Sequence, residues 1–160
     1  MINHSDIKHL QRCIELAKTA LELGDEPFGS VLVSANGDVL AEDHNHVAGG
    51  DHTQHPEFAL ARWAAVNMTP DERGRATVYT SGEHCPMCAA AHGWVGLGRI
   101  VYASSSEQLV QWLNEIGVQE SRVRNLPIQE VIRDTAIDGP VPELAEQVHQ
   151  LHRQFYEKRR

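Results

Sequence analysis

The sequence predicts an α/β protein of three layers, α/β/α, with a mixed sheet of about five strands and helices on both faces. Three observations carry that prediction. "ATVYTS" and "RIVYAS" are short, apolar, β-rich runs that bracket "CPMCAAAHGWVG", and strand–helix–strand order implies a right-handed crossover joining a parallel pair. Two apolar runs in "PFGSVLVSANGDVLAE" flank Asn36-Gly37, a strong hairpin signal. Segments with helical periodicity lie before, between and after these strands, which supplies layers for both faces. The chain has 160 residues, 41% of them apolar, enough for one core in a single domain spanning 1–160.

The elements follow in order. In "SDIKHLQRCIELAKTALELG", Ile7, Leu10, Ile14, Ala17 and Leu21 recur at helical spacing, with Ser5 placed to cap the start and Gly24 to end it. Cys13 falls on the same apolar face and reads as a core residue. The hairpin comes next, then the polar loop "DHNHVAGGDHTQ". "HPEFALARWAAVN" reads as a helix with Pro56 in its first turn, apolar nearly all round and expected to be well buried. After the crossover, "SEQLVQWLNEIG" is a helix, "LPIQEVIR" the last strand, and "PELAEQVHQLHRQFYEKRR" a closing helix over about 142–158.

Charge and composition exclude several classes. The net charge of −8 is a poor background for nucleic acid, which selects basic surfaces. Arg153, Lys158, Arg159 and Arg160 cluster in the final helix, where they complement its C-terminal dipole. No apolar run reaches the roughly 18 residues of a membrane span. "MINHSDIKHL" lacks the basic-then-apolar layout of a signal peptide, so a cytoplasmic location is expected. Three cysteines, an odd number, argue against a disulfide scaffold.

Cys85 and Cys88 form a C-x-x-C that could be a redox dithiol, half of a structural zinc site, or two ligands of a catalytic metal. A second segment of the same design weighs toward the last. His55 precedes Pro56, and Cys85 precedes Pro86, so each strong ligand type sits just before a helix begins. A helix N-terminus carries partial positive charge, which favours the thiolate a metal needs. Cys85 also lies just beyond the C-terminal end of a parallel strand, where open α/β sheets place their sites. Glu57, two residues after His55, can face the same point and exchange protons with a water there. Three protein ligands leave a fourth position open, the pattern of a catalytic zinc. A closed structural site would need a fourth ligand from His44, His46, His52, His84 or His92. A redox dithiol would leave "HPE" unexplained.

"HPE", followed 30 residues later by "CPMC", resembles the H-x-E plus P-C-x-x-C signature of the cytidine/deoxycytidylate deaminase superfamily. The resemblance runs from the first helix to the fourth strand and looks closest to the guanine deaminase and tRNA adenosine deaminase branch. It implies a cytidine-deaminase-like fold, one Zn2+ per chain on His55, Cys85 and Cys88, and Glu57 as the proton carrier. It also implies substrate contacts. "PFGSVLV" resembles the strand that forms a pocket wall, which brings in Phe28, with Pro56 beside the ligands. Asn45 sits where that branch holds the base, and Trp94 matches an aromatic of the guanine pocket. Phe155-Tyr156 resembles an aromatic tail that closes over a neighbour's site, so a homodimer is expected, with Tyr156 reaching a partner. Two departures stand out: Pro56 replaces the usual alanine, and His84 replaces the proline before Cys85. "WLNEIG" stands where guanine deaminases carry a paired aspartate, and Glu115 could supply that carboxylate.

The resulting expectation is hydrolytic deamination of a free nucleobase, guanine first, without nucleic acid or membrane as partner. Cytosine or aminotriazine-type bases or nucleosides, tRNA adenosine, and a non-enzymatic zinc-stabilised interaction domain are the alternatives.

Overall fold

The computed structural model describes residues 1–159, so Arg160, the last of the basic cluster, lies outside the described residues. The chain begins with α1 (His4–Glu22), a hairpin of β1 (Gly29–Val33) and β2 (Val39–His44), and α2 (Pro56–Asn67). The short α3 (Pro70–Gly74), β3 (Thr77–Gly82), α4 (Pro86–Trp94), β4 (Arg99–Ser104) and α5 (Ser106–Glu115) follow. A two-residue β5 (Ile137–Asp138) and α6 (Pro142–Glu157) complete it. The sheet order is β2-β1-β3-β4-β5. β1 runs antiparallel to both β2 and β3, while β3, β4 and β5 are parallel, so the sheet is mixed as the sequence predicts.

Alternation along the strands builds two cores. Val31, Val33, Tyr79, Val101 and Ala103 face α1, α6 and Trp112 of α5. Leu32 and Val78 face the opposite layer with Leu60, Ala61 and Ala64 of α2. Gly29 sits where α1 crosses β1, and a Cβ there would press into Cys13 O and come within 2.5 Å of Leu16 Cβ. This close approach sets the distance between the helix and the strand that leads to the site. Among the described residues, no helix is long and apolar enough to cross a membrane.

Three local expectations are corrected. The cap of α1 is Asn3, not Ser5. Its side chain accepts from Asp6 N–H, and the Asp6 carboxylate accepts from Asn3 N–H in a reciprocal capping box. α2 is not buried all round: Pro56, Glu57, Leu60, Ala61 and Ala64 face inward, while Val66 on the other side is 84% exposed. Residues 126–133 form no strand. Pro127 opens a 3-10 turn at Ile128–Glu130, and Ile128 is buried against Ala89, Ile100 and Tyr102. The edge position falls to Ile137–Asp138. α6 packs one face onto this sheet. Leu144, Ala145, Val148, Leu151 and Phe155 are all spent in this chain's own core.

Asp6 also ties the layers together. Its carboxylate accepts two hydrogen bonds from the Arg99 guanidinium, at 2.9 and 3.0 Å, and one from Tyr79 Oη at 2.6 Å. Burial alone would raise this carboxyl. The bonds from Arg99, Tyr79 and Asn3 N–H overcome that and hold it at about 2. An unfolded chain binds the proton near pH 3.9, so this contribution is complete above that pH and is lost as pH falls toward 2. We expect roughly 2–3 kcal/mol of stability to disappear over that window. Denaturant titrations from pH 5 to pH 2 check it, with Asp6→Asn less stable at pH 5 and showing a flatter acid limb.

Candidate active site

Two helix N-termini converge on the site. His55 is the N-cap residue of α2 and Cys85 that of α4, both with extended backbone and a proline at the first helical position. Neither side chain caps its own helix, so both are free to face each other. Cys88, three residues into α4, returns to the same side after one turn. His55 Nδ1 lies 3.4 Å from Cys85 Sγ and 3.5 Å from Cys88 Sγ. Tetrahedral zinc, with Zn–S near 2.3 Å and Zn–N near 2.0 Å, places sulfur and nitrogen about 3.5 Å apart. The donor set therefore fits zinc. Among the described residues, no fourth histidine, cysteine or carboxylate joins this group, so the site is open rather than closed.

The electrostatics prepare the ligands. Cys85 is held down to about 4, first by a hydrogen bond from Cys88, against burial, and then by His55. Cys88 is pushed far up by the same bond and by burial, so it keeps the thiol proton of the pair. His55 is raised to about 9, chiefly by its bond to Cys85, against burial.

Glu57 follows on the first turn of α2 and is only 6% exposed. The Ser30 and Thr80 hydroxyls both lie 2.8 Å from its Oε1. These two residues stand directly opposite each other in the β1–β3 register, so the sheet floor fixes one oxygen of the carboxylate. Burial raises the Glu57 carboxyl, and His55, Ser30 and Thr80 oppose it only in part.

Above this floor opens a cleft of about 700 Å³. His55, Pro56, Glu57 and Cys85 line its base, and Phe28, Met87 and Leu109 supply apolar walls. Tyr156 of this chain's own α6 lines it too. The remaining substrate contacts expected from resemblance fall elsewhere. Trp94 ends α4, eight residues beyond Pro86 and thus about 12 Å along the axis, and stands 90% exposed outside the cleft. Glu115 is exposed at the end of α5 and accepts from Gln111 Nε2 at 3.4 Å. Glu120, in the following loop, is the carboxylate that this region brings to the cleft. Asn45 is 1% exposed and outside the lining, with its Oδ1 accepting Val47 N–H at 2.9 Å as a turn residue does. His84 is buried edge-on against His92, with ring centroids 5.4 Å apart, and burial pushes it well below 6.5. It packs beneath α4 and is not one of the ligands.

Sequence reasoning missed Glu26 and Glu83, which also line the cleft. Glu83 Oε1 accepts Ser106 N–H at 2.9 Å and Oε2 accepts Ile128 N–H at 2.8 Å. One carboxylate thus clips the start of α5 to the turn that closes the 118–125 loop. Hydrogen bonds to a charged group contribute about 1.5–3 kcal/mol each. We expect Glu83→Ala to raise KM severalfold more than it lowers kcat, with hydrogen exchange accelerated in 118–128.

Comparison with known proteins agrees with this geometry. Residues 3–104 match the family model of the cytidine and deoxycytidylate deaminase zinc-binding region. A probable cytosine deaminase of Schizosaccharomyces pombe is 31% identical over 116 residues, covering 72% of this chain and 70% of that protein. Guanine deaminase of Bacillus subtilis is 33% identical over 105 residues, 64% of this chain and 65% of its own length, just under two thirds. A solved structure from a study of A-to-I editing by tRNA:A34 deaminases superposes with a TM-score of 0.63 at 23% identity. That superposition covers 91% of this chain and 99% of the other, and shares the fold.

Proposed function

The chain belongs to the cytidine and deoxycytidylate deaminase family, and from that premise we propose that it hydrolytically deaminates a free nucleobase or similar amino-heterocycle, guanine first. The observation that carries this reading is Glu57. It is a buried carboxylate with one oxygen anchored by Ser30 and Thr80, beside a three-ligand metal group at the base of an open cleft.

The ion, when bound by His55, Cys85 and Cys88, supplies the Lewis acidity that brings the pKa of a water toward about 7. Glu57 takes a proton from the attacking water and delivers it to the ring nitrogen next to the reacting carbon. That carbon gains a C–O bond. Glu57 then assists proton transfer to the exocyclic nitrogen, the C–N bond breaks, and ammonia leaves behind a carbonyl. Desolvation raises the Glu57 carboxyl, which suits a group that must hold a proton between the two transfers.

The walls favour a small, neutral, donor-bearing ring. Phe28 and Met87 offer apolar faces, and the Glu26 carboxylate offers an acceptor for ring or amino N–H groups. Glu26, Glu57, Glu83 and Glu120 beside Arg124 make an acidic lining, which disfavours a polyanion such as tRNA. Cytosine or an aminotriazine would meet the same groups and is the nearest alternative substrate. An ammonia-release panel tests the proposal, with guanine, adenine, cytosine, their nucleosides, aminotriazines and a tRNA anticodon stem. Turnover is expected with free bases and strongest with guanine. Turnover confined to the anticodon stem, abolished by moderate salt, would overturn it.

A further inference from the structure

A second group of ligand types lies outside the cleft base, in residues that the proposed chemistry leaves unused. Potential ligand atoms of Asp25, His44 and His46 all fall within 4.8 Å of one another. Their tautomers are set by their neighbours. His44 Nδ1 lies 2.8 Å from Asn45 O, a group that can only accept, so Nδ1 carries the proton and Nε2 keeps its lone pair. His46 Nε2 lies 3.0 Å from Asp43 Oδ1, which places the proton on Nε2 and leaves the lone pair on Nδ1. Imidazoles oriented by a carbonyl or carboxylate on the far nitrogen are the form in which proteins present histidine to metals. The two rings lie with centroids 4.2 Å apart.

Asp25 adds an independent observation. It is 6% exposed, its Oδ1 accepts Ala48 N–H at 2.9 Å, and among the described residues no cation pairs with it. Its Oδ2 makes no hydrogen bond among the described residues and is not a buried unpaired atom, so it remains open to an ion from solvent.

We infer that Asp25, His44 and His46 form a second divalent-cation site, for an ion of the zinc, cobalt or nickel class. Two imidazoles and one carboxylate suit borderline ions and leave positions for water. Lacking a thiolate, the site is weaker than the one at His55. Its place in the fold gives it a consequence. Asp25 directly precedes Glu26 of the cleft, and His44 and His46 flank the point where the chain leaves β2. A bound ion would tie these segments together, reinforcing the bond that Asp25 already makes to Ala48.

The test begins with protein carrying its catalytic zinc, dialysed against free Zn2+ and assayed for metal content. Wild type should hold two equivalents, and His46→Ala, at an exposed position, should hold one and retain its fold. His149→Ala, a control distant in sequence, should still hold two. Long-range 15N NMR should show zinc shifting His44 Nε2 and His46 Nδ1. A single equivalent in wild type, or a second equivalent that survives in the His44→Ala/His46→Ala double variant, would overturn the inference. Metal content does not depend on which substrate is deaminated, so the two proposals fail separately.

Discussion

Glu57→Gln should retain zinc and lose ammonia release by about 10²- to 10⁴-fold, the range of a general acid–base group. The substitution is nearly isosteric, and Ser30 and Thr80 can still donate to the amide oxygen where they met Oε1. Folding and metal content should therefore stay close to wild type. What disappears is a carboxylate able to accept a proton from water and give it up again. The effect should fall on kcat, since the side chain handles protons at the reacting centre more than it holds the ring. Metal analysis alongside steady-state kinetics separates this outcome from loss of the ion. Ser30→Ala and Thr80→Val, which free Oε1 without removing it, should show the same sign with smaller losses.

Removing a ligand should have a different signature. Cys85→Ala should lose zinc and activity together and lower the thermal midpoint, because Cys85 is the sulfur poised as thiolate at the α4 N-terminus. The titration of the three groups makes a sharper prediction for protein stripped by a chelator. At pH 7, Cys85 is a thiolate, His55 is protonated and Cys88 is a thiol. Zinc needs two thiolates and a neutral imidazole, so its uptake releases the His55 and Cys88 protons. Apparent affinity should then rise by about a hundredfold per pH unit between pH 5 and pH 8, two protons being displaced. Isothermal titration in buffers of different ionisation enthalpy counts those protons directly. A count near zero would mean that the ligand set or its charge state is assigned wrongly.

The ligands were legible in the sequence because they are local features. A histidine before Pro56 and a cysteine before Pro86 each mark a helix start, and Cys88 follows at helical spacing. Glu57 was legible on the first turn of the helix that His55 caps. Ser30 and Thr80 were not, because 50 residues separate them and only the antiparallel register of β1 on β3 brings them to one carboxylate. Their one signal was polar side chains at buried strand positions, Ser30 in the apolar run of β1 and Thr80 in the mixed β3. Glu83 was hidden for a similar reason, since its partners are backbone groups of segments far along the chain. Trp94 and Glu115 were assigned by position within a motif. Position does not say how far a helix carries a residue from its N-terminus, nor whether the cleft is closed by α5 or by the loop after it. The strand expected at 126–133 failed because Ile128 meets a better burial site under Ala89 and Tyr102 than a sheet edge would give it. The parallel crossover and the hairpin held, because each rests on a turn and on short apolar runs that no distant contact overrides.

Hydrolysis with Glu57 as the proton carrier is the central claim, and turnover in 18O-labelled water tests it most directly. Zinc-loaded wild type should release one ammonia for each heterocycle consumed and place one labelled oxygen on the ring carbon that lost its nitrogen, while Glu57→Gln with full zinc should do neither at a comparable rate. Product without the label, or labelled product formed by Glu57→Gln as fast as by wild type, would contradict it.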